Sequence, residues 1–227
     1  MPTTLKTAFT AFLLSLFNFF QAQKSEFKTP DCASIQKNIE DKKSEFYYPD
    51  LLKKLKQNDT FITQEQYRHL YYGYTFQPDY EPYKIDDNLE EMTKFYRGEI
   101  SDKDLPKGIK LFRQTLEKNP LDLRAMNYLA YMYHLTKDEV TAKKISRNFH
   151  GLLEAFLSSG DGMTCGTGFH VISISHEYVL MNMFEMEAQS QSYDGMCDYQ
   201  EFEKGKYKIA GLYFNVSKLY GKMSFKR

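Results

Sequence analysis

Residues Glu117–Lys144 read EKNPLDLRAMNYLAYMYHLTKDEVTAKK, and the spacing of their apolar side chains decides what kind of body this chain builds. Leu123, Met126, Leu129, Ala130 and Tyr133 recur at three- and four-residue intervals, which puts them on one side of a helix. Asn119-Pro120 ends the helical pattern before it, because proline lacks the N–H a helix interior needs and restricts the residue that precedes it. Further on, Ala142, Ile145 and Phe149 mark the next helix. Small residues at Ala130 and Ala142 let the two helices approach closely, while Leu129 and Tyr133 fill the space around them.

Outward toward the N-terminus the same period continues. Leu105, Ile109, Phe112 and Leu116 make one apolar face, and Leu89, Met92, Phe95 and Tyr96 make another. Before them lie short helices joined by turns, with Ile35 and Ile39 four apart and Leu51, Leu52 and Leu55 in a second stripe that breaks at residues 58–60. Thr63-x-x-Gln66 is a capping box, in which hydroxyl and amide each satisfy a backbone N–H, and it predicts a helix carrying Tyr67, Leu70 and Tyr71 on one face. The segment GYTFQPDYEPY, Gly73 to Tyr83, holds two prolines and three tyrosines and predicts a loop pinned by its rings.

Toward the C-terminus the period changes after Gly160. Phe169, Val171 and Ser173 alternate with His170, Ile172 and Ile174, which reads as a strand, and Ser175 is placed to cap a short helix HEYVLMNMF. Alternating runs at Cys197–Phe202 and Ala210–Val216 flank the turn EKGKYK. The expected architecture is α+β: one domain over residues 23–227, helical over about 32–159 and ending in a small antiparallel sheet over about 160–220.

The segment that opens this section resembles a tetratricopeptide repeat, with Pro120 closing one unit, Leu129, Ala130 and Tyr133 at the packing positions of the first helix, and Ala142 at the tight crossing in the second. With its predecessor, the repeat-like stretch spans residues 89–150 and offers two units at most, so flanking segments must complete the core. The whole chain also resembles a bacterial family of exported proteins known only as domain of unknown function number 4919. The resemblance rests on LYYGYTFQPDYEPY (Leu70–Tyr83), NPLDLRAMNYLAYMY, HGLLEAFLSSGDG with FHVISISHEYVLM, and the closing GLYFNVS. SGDG and the acidic-Tyr pair Glu177-Tyr178 belong to that pattern, and Cys165 does not. The resemblance implies an exported, Bacteroidetes-type protein with a helical-repeat body, and it brings no activity with it.

Composition narrows the function further. Thirty basic and thirty acidic residues cancel, which removes the long-range field that nucleic-acid binders use, so no nucleic-acid partner is expected. Eighteen Tyr and eighteen Phe stand beside no Trp, which weighs against an indole-based sugar platform. The first residues, MPTTLKTAFTAFLLSLFNFFQAQKS, place a single positive charge at Lys6 before an apolar run from about Thr7 to Phe20. That run is shorter than the roughly 20 residues of a spanning helix, so it reads as a signal peptide over residues 1–22, cleaved near Ala22, with no integral membrane segment left afterwards. A periplasmic or secreted location follows. Export permits disulfides, and of Cys32, Cys165 and Cys197 the favoured pair is Cys165–Cys197; three unpaired thiols are the alternative. Asn58-Asp-Thr60 and Asn215-Val-Ser217 match the glycosylation pattern, which matters only in a eukaryotic secretory host.

Several residue groups bear on chemistry. Cys165 precedes His170 by five residues, a spacing that in an extended chain leaves them roughly 15 Å apart on opposite faces. A nucleophile and base would need the glycines between them to fold the chain back. His150, His170 and His176 lack any metal-binding frame, and no cofactor is expected. SGDG reads as a turn after a helix end, with glycine free to take positive φ and Asp161 bonding its own backbone. Six phenols lie between Tyr67 and Tyr83; Tyr72, Tyr74 and Tyr80 are candidates to line a platform for a peptide or glycan, or to clamp the loop. Arg124, Asn127 and Tyr131 share the repeat's concave face, where a cation and an amide suit a peptide carboxylate and backbone. The expected function is a non-catalytic protein- or peptide-interaction module. Its alternatives are a cell-envelope hydrolase using Cys165, or Asp161 or Glu177 with His170, and a carbohydrate-binding protein working through the tyrosines.

Overall fold

The computed structural model describes residues 27–98 and 100–220; the expected signal peptide, residues 1–22, lies outside the described residues. Three short helices come first: α1 (Cys32–Glu40), α2 (Tyr48–Lys56) and α3 (Gln64–Gly73). Asp31 caps α1 by accepting from the Ser34 N–H, and α2 carries a proline in its first turn, where no intrahelical donor is lost. The capping box at α3 is formed in full, with Thr63 and Gln66 each satisfying the other's backbone. α3 is buried along its length from Gln66 to Gly73, because α1, α2 and α7 surround it.

Four helices follow: α4 (Leu89–Tyr96), α5 (Leu105–Lys118), α6 (Leu123–Leu135) and α7 (Glu139–Leu157). Each packs on its neighbour in sequence, as the short connections require, and Asp122 and Asp138 cap α6 and α7. α7 is the axis of the body, touching α6 and α3 along its length and β1 near its end. Where α3 crosses α7 there is room only for glycine: a Cβ on Gly151 would lie 2.3 Å from the Tyr67 ring. Beside that crossing, the Tyr67 hydroxyl donates to Asn148 Oδ1 at 2.7 Å and Asn148 Nδ2 donates to the Leu55 carbonyl at 3.1 Å, so a buried amide ties α2, α3 and α7 together.

The C-terminal part contains β1 (Phe169–His170), α8 (Ile174–Met183), β2 (Ala188–Tyr193), β3 (Cys197–Phe202), β4 (Gly211–Asn215) and the short α9 (Ser217–Tyr220). The strands lie in the order β1-β4-β3-β2. The sheet is mixed: β2, β3 and β4 are antiparallel, but β1 runs parallel to β4, correcting the all-antiparallel expectation. Alternation of apolar residues fixes which face is buried and leaves strand direction open; here α8 and the β2–β3 hairpin carry the chain away before β4 returns beside β1. β1 is also shorter than expected and α8 starts earlier, because Ser173 and not Ser175 is the cap, accepting from the Ser175 N–H. One hydrophobic core is continuous from Ile35 in α1 to Leu219 in α9. Among the described residues no helix is long and apolar enough to cross a membrane.

Candidate functional site

Three segments distant in sequence meet at one cleft. The first is the loop after α3. Its chain makes a 3-10 turn at Tyr74–Phe76, the Tyr74 and Tyr80 rings meet edge to face with centroids 5.4 Å apart, and the Tyr80 hydroxyl donates to the Ile172 carbonyl at 2.8 Å. These contacts hold residues 77–88 against the start of α8. The second segment is the α5–α6 connection with the first turn of α6, and the third is Ile172–His176. Between them and α4 lies a cleft of about 360 Å³.

Arg124 enters this cleft from α6. Its guanidinium lies over the Tyr96 ring, 3.8 Å from the centroid, and no acceptor among the described residues takes a hydrogen bond from it. The ring beneath is itself fixed, by Tyr128 at 4.7 Å and Phe112 at 5.7 Å and by the Tyr128 hydroxyl donating to the Tyr96 carbonyl. The loop's other charges are partly spoken for. Lys118 pairs with Asp87 at 2.8 Å and Lys84 with Glu81 at 3.1 Å, whereas Asp79 and Asp86 have no cationic partner among the described residues. Asp86 accepts the Asn88 N–H through Oδ1, and Asp122 caps α6. Burial holds the Asp122 carboxyl above the usual range and the neighbouring Asp86 charge pushes the same way, against the backbone N–H groups of Ala125 and Arg124 and the Arg124 charge. Ile85, 73% exposed, and Leu89 stand at the rim.

The floor of the cleft includes His176, which is fully buried and held neutral. Tyr71 donates its hydroxyl to Nδ1 at 2.8 Å, Nε2–H donates to the Leu121 carbonyl at 3.1 Å, and desolvation pushes the ring's pKa down to about 4. With both nitrogens engaged, this imidazole joins α3, the α5–α6 connection and α8 and has no lone pair to offer a substrate.

Among the residues singled out from the sequence, the structure brings Arg124, Tyr74 and Tyr80 to one cleft and leaves the others apart. Asn127 and Tyr131 are exposed farther along α6 and do not line it. Tyr72 is interior, its hydroxyl 3.3 Å from the Ala155 and His170 carbonyls and its ring beneath Arg68. Tyr72, Tyr74 and Tyr80 are all buried, so an open platform of phenol rings gives way to the clamp; their hydroxyls are spent on backbone carbonyls of the protein's own chain.

The cysteine and histidine of the Gly-rich segment part in the same way. Cys165 is joined to Cys197 by a disulfide with Cα atoms 5.8 Å apart, which fastens the turn at Cys165–Thr167 to β3 and removes the thiol that a nucleophile would need. His170 lies close enough to Arg68 and Lys218 to feel their charges, and burial first, then those charges, lowers its pKa to about 4. Asp194 lies with the two sulfurs inside 4.8 Å, but sulfurs bonded to each other are not the thiolates a metal requires. SGDG forms the expected turn: the N–H groups of Asp161 and Gly162 both donate to the Thr167 carbonyl, and a Cβ on Gly160 would stand 2.1 Å from that oxygen. The Thr167 hydroxyl first, and then the Met163 N–H, hold the Asp161 carboxyl below the ordinary range.

Sequence reasoning missed a buried acid pair. Glu177 on α8 is fully buried, and Gln200 Nε2 donates to its Oε2 at 2.8 Å. Burial raises its pKa to about 8, with the neighbouring carboxyl of Asp198 adding to the shift. Oε1 is buried without a hydrogen-bond partner, a position that suits the neutral acid better than the carboxylate. Glu177 stands alone as an acid in the apolar run ISHEYVLMNM, and Asp198 and Gln200 alternate onto the same sheet face as Phe202; those were the available signals. Gln200 also lines a second, shallower cleft of about 320 Å³ between α8 and β2.

Among curated proteins none matches this chain, and among solved structures none does. A family described as a domain of unknown function, DUF4919, matches residues 33–224, which takes in every helix and strand from the first turn of α1 to α9, and the chain belongs to that family.

Proposed function

We propose that the protein is an exported, non-catalytic binding module that holds the end of a protein or peptide partner in the cleft between the 77–88 loop, α6 and α8. The observation that carries this reading is Arg124: a guanidinium with its face fixed on Tyr96 and its N–H edge uncommitted among the described residues. Such an edge offers two parallel donors, the geometry that suits a carboxylate. Apolar side chains at the rim, Ile85 and Leu89, give a neighbouring side chain of the partner something to cover. Binding is favoured over hydrolysis because the groups named for chemistry are engaged elsewhere, Cys165 in a disulfide, Asp161 in its own turn and Glu177 in a buried hydrogen bond with Gln200. The disulfide also supports export, since such bonds persist in oxidising compartments.

The test is an array of random ten-residue peptides displayed with free C-termini, and again as C-terminal amides, probed with the mature protein. Binding confined to free C-termini and weakened at least ten-fold by Arg124→Gln supports the reading. Peptide binding indifferent to amidation and to Arg124→Gln, or silence on peptides with binding on a glycan array, would overturn it.

A further inference from the structure

The charges of the cleft do not balance within the protein, and the way they fail to balance points to a ligand. Three cations and five acids line it: Lys84, Lys118 and Arg124 against Asp79, Glu81, Asp86, Asp87 and Asp122. Lys84 and Lys118 are each occupied by a loop carboxylate, Glu81 and Asp87. Asp122 spends one oxygen capping α6. What remains is Arg124, whose charge the Asp122 carboxyl feels but whose guanidinium gives no hydrogen bond among the described residues, and two carboxylates without a cationic partner among those residues, Asp79 and Asp86. A polyanion such as a phosphate ester would gain Arg124 and meet the repulsion of the surrounding acids. A purely cationic ligand would leave Arg124 unanswered and close to a second positive charge. A ligand with one negative end and one positive end satisfies both.

Resting on the reading above, we propose that the cleft takes a short peptide with both ends free, its carboxylate on Arg124 and its ammonium on Asp86. The size agrees. A volume of about 360 Å³ falls within the range of small-molecule sites, and three residues extend over roughly 10 Å. The apolar rim of Ile85 and Leu89 leaves the central side chain weakly specified, so selection falls on the two ends. The loop acids serve recognition here: Asp86 keeps Oδ2 available while Oδ1 fixes the turn at Asn88.

The probes are a tripeptide library with both ends free, the same library N-acetylated, and the same library C-amidated, each dialysed against the mature protein with retention read by mass spectrometry. Free tripeptides are retained, and acetylation or amidation lowers retention at least ten-fold. Asp86→Asn lowers retention of free tripeptides and leaves that of the acetylated library where it was, because the contact it removes is already gone. Acetylated tripeptides held as well as free ones would overturn the two-ended proposal while leaving the cleft as a site for carboxylate ends. No tripeptide retained, with longer free C-termini still bound, would overturn it in the same way; neither kind bound would take down the parent reading as well. The caps are on the ligand, so these outcomes stand even if a variant folds poorly.

Discussion

Glu177 makes the sharpest statement at the level of a single residue. Its folded pKa is raised to about 8, against roughly 4.3 in an unfolded chain. The stabilisation that comes from burying the neutral acid is therefore complete below about pH 4.3 and is lost as pH rises through 8. Glu177→Gln keeps the shape and stays neutral at every pH. The protein is expected to lose roughly 2 kcal/mol between pH 6 and pH 8 relative to Glu177→Gln, measured by urea unfolding at both values. His176 works in the opposite direction: with its pKa lowered to about 4, its contribution is present above about pH 6.5 and drains away as pH falls toward 4. Tyr71→Phe removes the hydroxyl that serves both His176 Nδ1 and the Ile172 N–H and is expected to cost about 1–3 kcal/mol at neutral pH. None of this pairing was legible in the sequence, since Tyr71 and His176 are 105 residues apart.

Among the elements, what could be read was whatever declares itself locally. The capping box at Thr63 and Gln66 and the three- and four-residue spacing of Leu123, Met126 and Leu129 led to α3 and α6 because those signals need only near neighbours. β2 was not read. AQSQSY is a polar edge strand, exposed along nearly its whole length, and it lacks the apolar alternation that betrays a strand. Strand direction was likewise hidden, as the parallel pairing of β1 with β4 depends on a crossover and not on either strand's pattern. The contact most sensitive to one change is the α3–α7 crossing. A methyl at Gly151 has nowhere to go except into the Tyr67 ring, and Gly151→Ala should cost about 1–3 kcal/mol. A circular-dichroism melt reads this directly; an unchanged midpoint would mean the helices separate without penalty. Breaking the Cys165–Cys197 link, which closes a separation of 32 residues, should cost about 2–4 kcal/mol by the same measurement.

Taken as a whole molecule, helices and sheet share one core, from Ile35 through Phe156 and Phe214 to Leu219, so unfolding is expected to be a single transition in which far-ultraviolet and tyrosine signals coincide. The cleft is a product of that assembly: its walls come from residues 74–96, 118–124 and 172–176, and only the folded core brings them together. Sequence reasoning could therefore nominate Arg124 and the loop tyrosines separately and could not see that they meet, nor that Asn127 and Tyr131 stay outside. It also could not see that Lys84 and Lys118 are taken, which is what leaves Arg124, Asp79 and Asp86 facing an unbalanced space. The most direct measurement of that claim is nuclear magnetic resonance of the isotope-labelled mature protein during titration with the free-ended tripeptide library. Shifts gathered at the Arg124 side chain and along residues 79–89 and 172–176 are the predicted result; a spectrum unchanged there, with shifts instead along the groove from Tyr178 to Gln191, would contradict it.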